Sequence, residues 1–104
     1  MGHTETKTYT ALQGEIMDWV SANSWVNIIN WGNWFVGICD DPKATENWFV
    51  ESGVKTRYFK AFEAPSLDEA AETMELYVEN GSETTAEGEG PKPGLFVYVF
   101  KTIL

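Results

Sequence analysis

The chain has 104 residues, 43% hydrophobic and 14% aromatic, which suffices for one hydrophobic core and not for two ordinary domains. That composition excludes a disordered chain, and no run reaches the roughly 18 apolar residues that a membrane-spanning helix needs. Asp and Glu number 16 against 7 Lys and Arg, a formal net charge of −9, which disfavours nucleic acid as a partner because Lys and Arg supply the counterion release that holds phosphate backbones.

Residues 1–9 read as a tail, unstructured or added to the native chain, and residues 10–104 as one domain. Met1 to Lys7 has no basic apolar signal pattern, and Cys39 is the only cysteine, so no intrachain disulfide is available. Both points lead to the expectation of a cytoplasmic protein.

The first helix is expected to start at Thr10, where Thr10-Ala11-Leu12-Gln13 fits a capping box. Leu12, Ile16, Trp19, Val20 and Asn23 follow at helical spacing, and Gly14 weakens the helix by roughly 1 kcal/mol relative to Ala. The segment 24–33 is apolar at Trp25, Val26, Ile28, Ile29 and Trp31, with asparagines between. It either extends the helix or forms a strand turning at Gly32-Asn33; the extension is the preferred reading. Trp34 to Cys39 reads as a buried strand that stops at Asp40-Asp41-Pro42.

Asp41 suits an N-cap and Pro42 the first helical position, so a short helix carrying Trp48 and Phe49 follows and ends at Gly53. Thr56 to Ala64 is a second strand. Ser66 and Glu69 fit a second capping box, opening a helix with an apolar stripe of Leu67, Ala71, Met74 and Val78, closed by Gly81. Residues 81–94 form a Gly-, Pro- and Glu-rich loop, long enough to be mobile or functional. Leu95 to Leu104 is the last strand, and its run of apolar residues on both faces places it centrally in the sheet. The alternation of helix and strand leaves the strand directions open.

Four features could carry chemistry. Asp68, Glu72, Glu75 and Glu79 fall at i, i+4, i+7 and i+11 on the last helix, so they share a face and repel one another. They are either a solvated surface, a site for a hard cation such as magnesium, or a docking surface for a basic protein. Asp40 and Asp41 either serve a metal or, on the plainer reading, start a helix. Trp25, Trp31, Trp34 and Trp48 either form an aromatic platform or, as expected in so small a chain, build the core. Cys39 reads as a buried small apolar residue. His3 is the only histidine and lies in the tail, which argues against a histidine triad or metal cluster, and no Gly-rich phosphate loop precedes a helix with its Lys.

Trp34-Phe35-Val36-Gly37-Ile38 followed by Asp40-Asp41-Pro42 resembles the second half of the GIY-YIG nuclease motif, a Tyr-Ile-Gly strand followed by a turn and a helix. Ala71, Glu75 and Tyr77, before Gly81, resemble the later helix that carries that family's metal-binding Glu. The resemblance covers roughly residues 33 to 81 and implies an α+β fold, with a small, mainly antiparallel three-stranded sheet and three flanking helices. It makes the Phe35 position and Glu75 candidate catalytic residues, with Glu75 the ligand for Mg or Mn, and Arg57 joins them as the one arginine in the chain.

The departures shape the functional expectation. No Gly-Ile-Tyr tripeptide stands upstream, Phe35 lacks the tyrosine hydroxyl, and the helix after Pro42 has no arginine, Arg57 being the only one in the chain. Such losses remove charge stabilisation at a scissile phosphate. The reading adopted is a non-catalytic protein-interaction domain on a degenerate GIY-YIG-like scaffold, binding a basic partner through Asp68, Glu72, Glu75 and Glu79. The alternatives are a Mg- or Mn-dependent nuclease with a rearranged site, and an acidic inhibitor that mimics nucleic acid.

Overall fold

The computed structural model describes residues 9–85 and 92–102. The expected tail therefore lies, over residues 1–8, outside the described residues, as does the middle of the Gly-rich segment, residues 86–91. The elements are α1 (Ala11–Ala22), β1 (Trp34–Cys39), α2 (Pro42–Glu51), β2 (Arg57–Glu63), α3 (Leu67–Glu79) and β3 (Phe96–Lys101). Two single 3-10 turns, Trp25–Asn27 and Trp31–Asn33, lie between α1 and β1.

Local chemistry sets the helix starts. The Thr10 hydroxyl accepts from Gln13 N at 3.1 Å, and the Gln13 amide accepts from Thr10 N at 3.1 Å, a complete capping box. Asp41 accepts from Ala44 N at 3.1 Å with Pro42 at the first position of α2. Each such cap is worth about 1 kcal/mol. Gly53, at φ 84, closes α2 in the left-handed region that glycine enters freely. Ser66 accepts from Glu69 N at 3.1 Å, but the return bond from the Glu69 side chain is not made, so α3 has a single cap instead of the expected box.

The sheet has order β1-β3-β2 with both pairings antiparallel. β3 is therefore central, as its two-faced apolar run requires. Its side chains alternate between two layers. Val97 and Val99 face α1 and α3, packing with Leu12, Ile16, Val20 and Tyr77. Tyr98 and Phe100 face the other side, packing with Cys39 and Phe49 and flanked by Phe35 and Phe59. The rings of Phe35 and Phe100, direct cross-strand partners, stack at 4.9 Å. α1 and α3 thus cover one face of the sheet and α2 the other.

Both edges of the sheet are engaged. Beyond α3 the chain runs along β1, where Val36 N donates to Glu83 O at 2.9 Å and Glu83 N donates to Trp34 O at 3.0 Å. The buried Ser82 hydroxyl adds a bond to Trp34 O at 2.8 Å. On β2 the register shifts between Arg57 and Lys60, Tyr58 sits at φ 55, and the Trp19 indole donates to Tyr58 O at 3.2 Å. This bulge and its indole cover interrupt the outer edge.

Three expectations are corrected. The segment 24–33 does not extend α1. Asn23 and Ser24 take the terminal carbonyls with their own side chains, Asn23 Nδ2 to Trp19 O at 2.9 Å and Ser24 Oγ to Val20 O at 2.6 Å. Such local bonds compete with helix propagation. The stripe of α3 is rotated: Ala70, Thr73 and Tyr77 are its buried residues, and Leu67 is 58% exposed. Tyr77 commits that face inward, with its hydroxyl on Gln13 O at 2.8 Å and its ring stacked on Trp31 at 4.2 Å. The tryptophans do not all build the core. Trp34 is fully buried and Trp31 packs against the core, but Trp48 is 41% exposed and Trp25 83%.

Candidate functional site

The sheet separates the candidates that the resemblance groups together. Phe35 packs on the α2 side, with its ring 5.2 Å from that of Phe49. Glu75 is exposed on α3, which covers the opposite face. Arg57 begins β2, on the far side of β3 from β1, opposite Lys101 in register. Phe35, Arg57 and Glu75 therefore do not share a cleft. Asp41 caps α2, while Asp40 is exposed and donates its backbone N–H to Lys92 O at 3.0 Å. Among the described residues no group of three or more His, Cys, Asp or Glu side chains is arranged to hold a metal.

Cys39 is buried, and burial pushes its thiol up, outweighing the opposite pull of the hydrogen bonds to Thr45 and to the Asp41 backbone. A raised, buried thiol is a poor nucleophile at neutral pH. Among the described residues no helix is long and apolar enough to cross a membrane.

The acidic row is present as a surface. Asp68, Glu72, Glu75 and Glu79 are all exposed, and none has a recorded hydrogen-bond or ion-pair partner among the described residues. Asp68 lies in the first turn, where the helix dipole favours it, while Glu79 is the last residue of α3, where the dipole opposes it. No basic residue occupies the last turn. The lower half of this face thus carries like charges at the negative end of a helix.

A second site escaped the sequence reading. A cavity of about 310 Å³ opens where the 24–33 segment folds over the end of the sheet, lined by Ser24, Trp25, Asn30, Asn33, Trp34 and Lys101, with Val26 and Ile28 at its side. Lys101 is 9% exposed, and its Nζ donates to Asn23 O at 2.9 Å and lies 6.0 Å from the Trp34 ring and 5.9 Å from the Tyr58 ring. Val26 and Asn27 are consecutive left-handed residues, at φ 51 and φ 58. For a β-branched Val that conformation costs about 1–3 kcal/mol. The legible signal was an apolar run with neither period: Trp25-Val26-Asn27-Ile28 alternates imperfectly and is broken by asparagines.

No protein-family model, no curated protein and no solved structure matches this chain.

Proposed function

We propose that the chain is a non-catalytic protein-interaction domain that engages a basic protein partner through the exposed face of α3. Its scaffold resembles a degenerate GIY-YIG domain in the order of strand, short helix, strand and helix. The observation that carries the reading is the row Asp68, Glu72, Glu75 and Glu79, exposed and without an ion-pair partner among the described residues.

Like charges three and four apart on a helix cost roughly 0.2–0.5 kcal/mol per pair. Glu79 adds an unfavourable interaction with the helix dipole. A face that costs the domain stability is what an external cationic surface would relieve. Lys and Arg side chains of a partner fit it, since exposed complementary charge steers encounter and selects partners. The separation of Phe35 from Glu75 supports a binding role over phosphodiester cleavage, which needs its groups within reach of one phosphate.

The test is affinity capture from the native host with the wild-type chain and with the Glu72→Gln/Glu75→Gln/Glu79→Gln variant. The reading expects a basic protein retained by the wild type, released by salt and absent from the variant. An unchanged set of captured proteins would overturn it.

A further inference from the structure

We infer that the cavity between the 24–33 segment and the end of β3 is a binding site for a small organic acid with a flat apolar body. This goes beyond the α3 face and uses none of its residues. Its volume, about 310 Å³, falls at the lower end of the range of small-ligand pockets.

Three observations converge on the cavity. The first is a cation. Lys101 lines the site and is 9% exposed, yet among the described residues its partners are one neutral carbonyl, Asn23 O, and two aromatic rings. An ammonium carries three donors, and a buried one is normally paired with an anion.

The second is exposed apolar surface. Trp25 is 83% exposed, Ile28 69% and Val26 58%, all on the cavity's lining. Tryptophan is among the residues least often left in water and most often found where something binds.

The third is backbone geometry. The left-handed pair Val26-Asn27 lies between Trp25 and Ile28, which both line the opening. Strained non-glycine residues of this kind persist where surrounding structure holds them and cluster at ligand clamps.

The ligand's chemistry follows from the lining. Lys101 supplies charge, Ser24, Asn30 and Asn33 supply neutral polar groups, and Trp25 and Trp34 supply indole surface. Among the described residues that line the cavity none is acidic, and the other acidic side chains act on it from a distance, screened over roughly 8 Å at physiological salt. A carboxylate would meet Lys101 while the ring it carries lies against Trp25.

The test titrates the ¹⁵N-labelled protein with phenylacetate and with its uncharged counterpart, phenylacetamide, following backbone and indole resonances. Phenylacetate is expected to shift residues 24–34 and 101 saturably, and phenylacetamide to bind about tenfold more weakly, the worth of one charge-assisted hydrogen bond. Lys101→Met is expected to bring the two probes to equal affinity. Trp25→Ala, a change at an exposed side chain, is expected to weaken phenylacetate severalfold with the thermal midpoint unchanged, and it keeps the test decisive if Lys101→Met fails to fold. Equal affinity of the wild type for acid and amide, shifts confined to other surfaces, or no saturable shift at millimolar probe would each overturn the inference.

Discussion

Gly37 and Tyr98 are direct partners across β1 and β3, and the Tyr98 ring lies over Gly37, occupying the place that a Cβ at residue 37 would take. The tripeptide Phe35-Val36-Gly37 thus has a packing reason for its glycine. An aromatic residue covers the bare backbone of its neighbour, and the layer containing Phe35, Phe49 and Phe100 closes around it. Gly37→Ala is expected to destabilise the domain by about 1–3 kcal/mol or more, because Tyr98 is fully buried and has nowhere to move. Urea unfolding of Gly37→Ala, Tyr98→Val and the double variant measures this. The double variant is expected to lose less than the sum of the singles, and strict additivity would show that the ring is not the obstacle.

Thr73 is fully buried on α3, and its Oγ1 has no hydrogen-bond partner among the described residues. An unpaired buried hydroxyl forfeits its hydration without return. Thr73→Val keeps the shape and removes the polar atom, so it is expected to stabilise by about 1 kcal/mol, which raises the thermal midpoint by about 4–8 °C in a domain of this size. A midpoint at or below that of the wild type would mean that the hydroxyl is satisfied in solution.

Alkaline pH probes two phenols. Burial raises the pKa of Tyr77 and of Tyr98 well above the ordinary tyrosine value, with smaller contributions from Tyr9 and from Cys39 respectively. A folded-state pKa above the unfolded one gives stability that is complete below the unfolded value of about 10 and is lost as pH rises through the folded value. Each phenol adds up to about 1.4 kcal/mol per pH unit to the slope. Urea midpoints are expected to fall steeply above pH 10, less steeply in Tyr77→Phe, and phenolate absorbance from these two residues is expected to appear only with unfolding.

The α3 carboxylates are expected to lower stability in the isolated chain. Glu75→Gln and Glu79→Gln each remove helix repulsion of roughly 0.2–0.5 kcal/mol per pair, and Glu79→Gln also relieves the dipole at the helix end. Both variants should melt higher at low salt, with the gain shrinking as salt is added. Equal or lower midpoints would show that the row is compensated.

Much of the fold was legible because its signals are local. Thr10, Asp41 and Ser66 cap helices through bonds made within three residues, and the doubly apolar run 96–100 can only be a central strand. The rotation of α3 was not legible, because Tyr77 is drawn inward by Gln13 and Trp31, partners distant in sequence. Nor was the cavity. Trp25 looked like core material by type, and its exposure depends on Asn23 and Ser24 ending α1 and on a left-handed turn at Val26. Lys101 ends an apolar strand and gave no hint in sequence that it would be buried. Of the site residues, the α3 row was readable from spacing alone, whereas the separation of Phe35, Arg57 and Glu75 depends on which face each element covers.

The α3 face is proposed to serve a cation outside the chain. The most direct measurement of this is the dissociation constant of the captured basic partner, determined at low and high salt for the wild type and for the Glu72→Gln/Glu75→Gln/Glu79→Gln variant. The account predicts wild-type binding that weakens steeply as salt rises, and variant binding that is weak and nearly salt-insensitive. The same affinity and the same salt slope for both chains would contradict it.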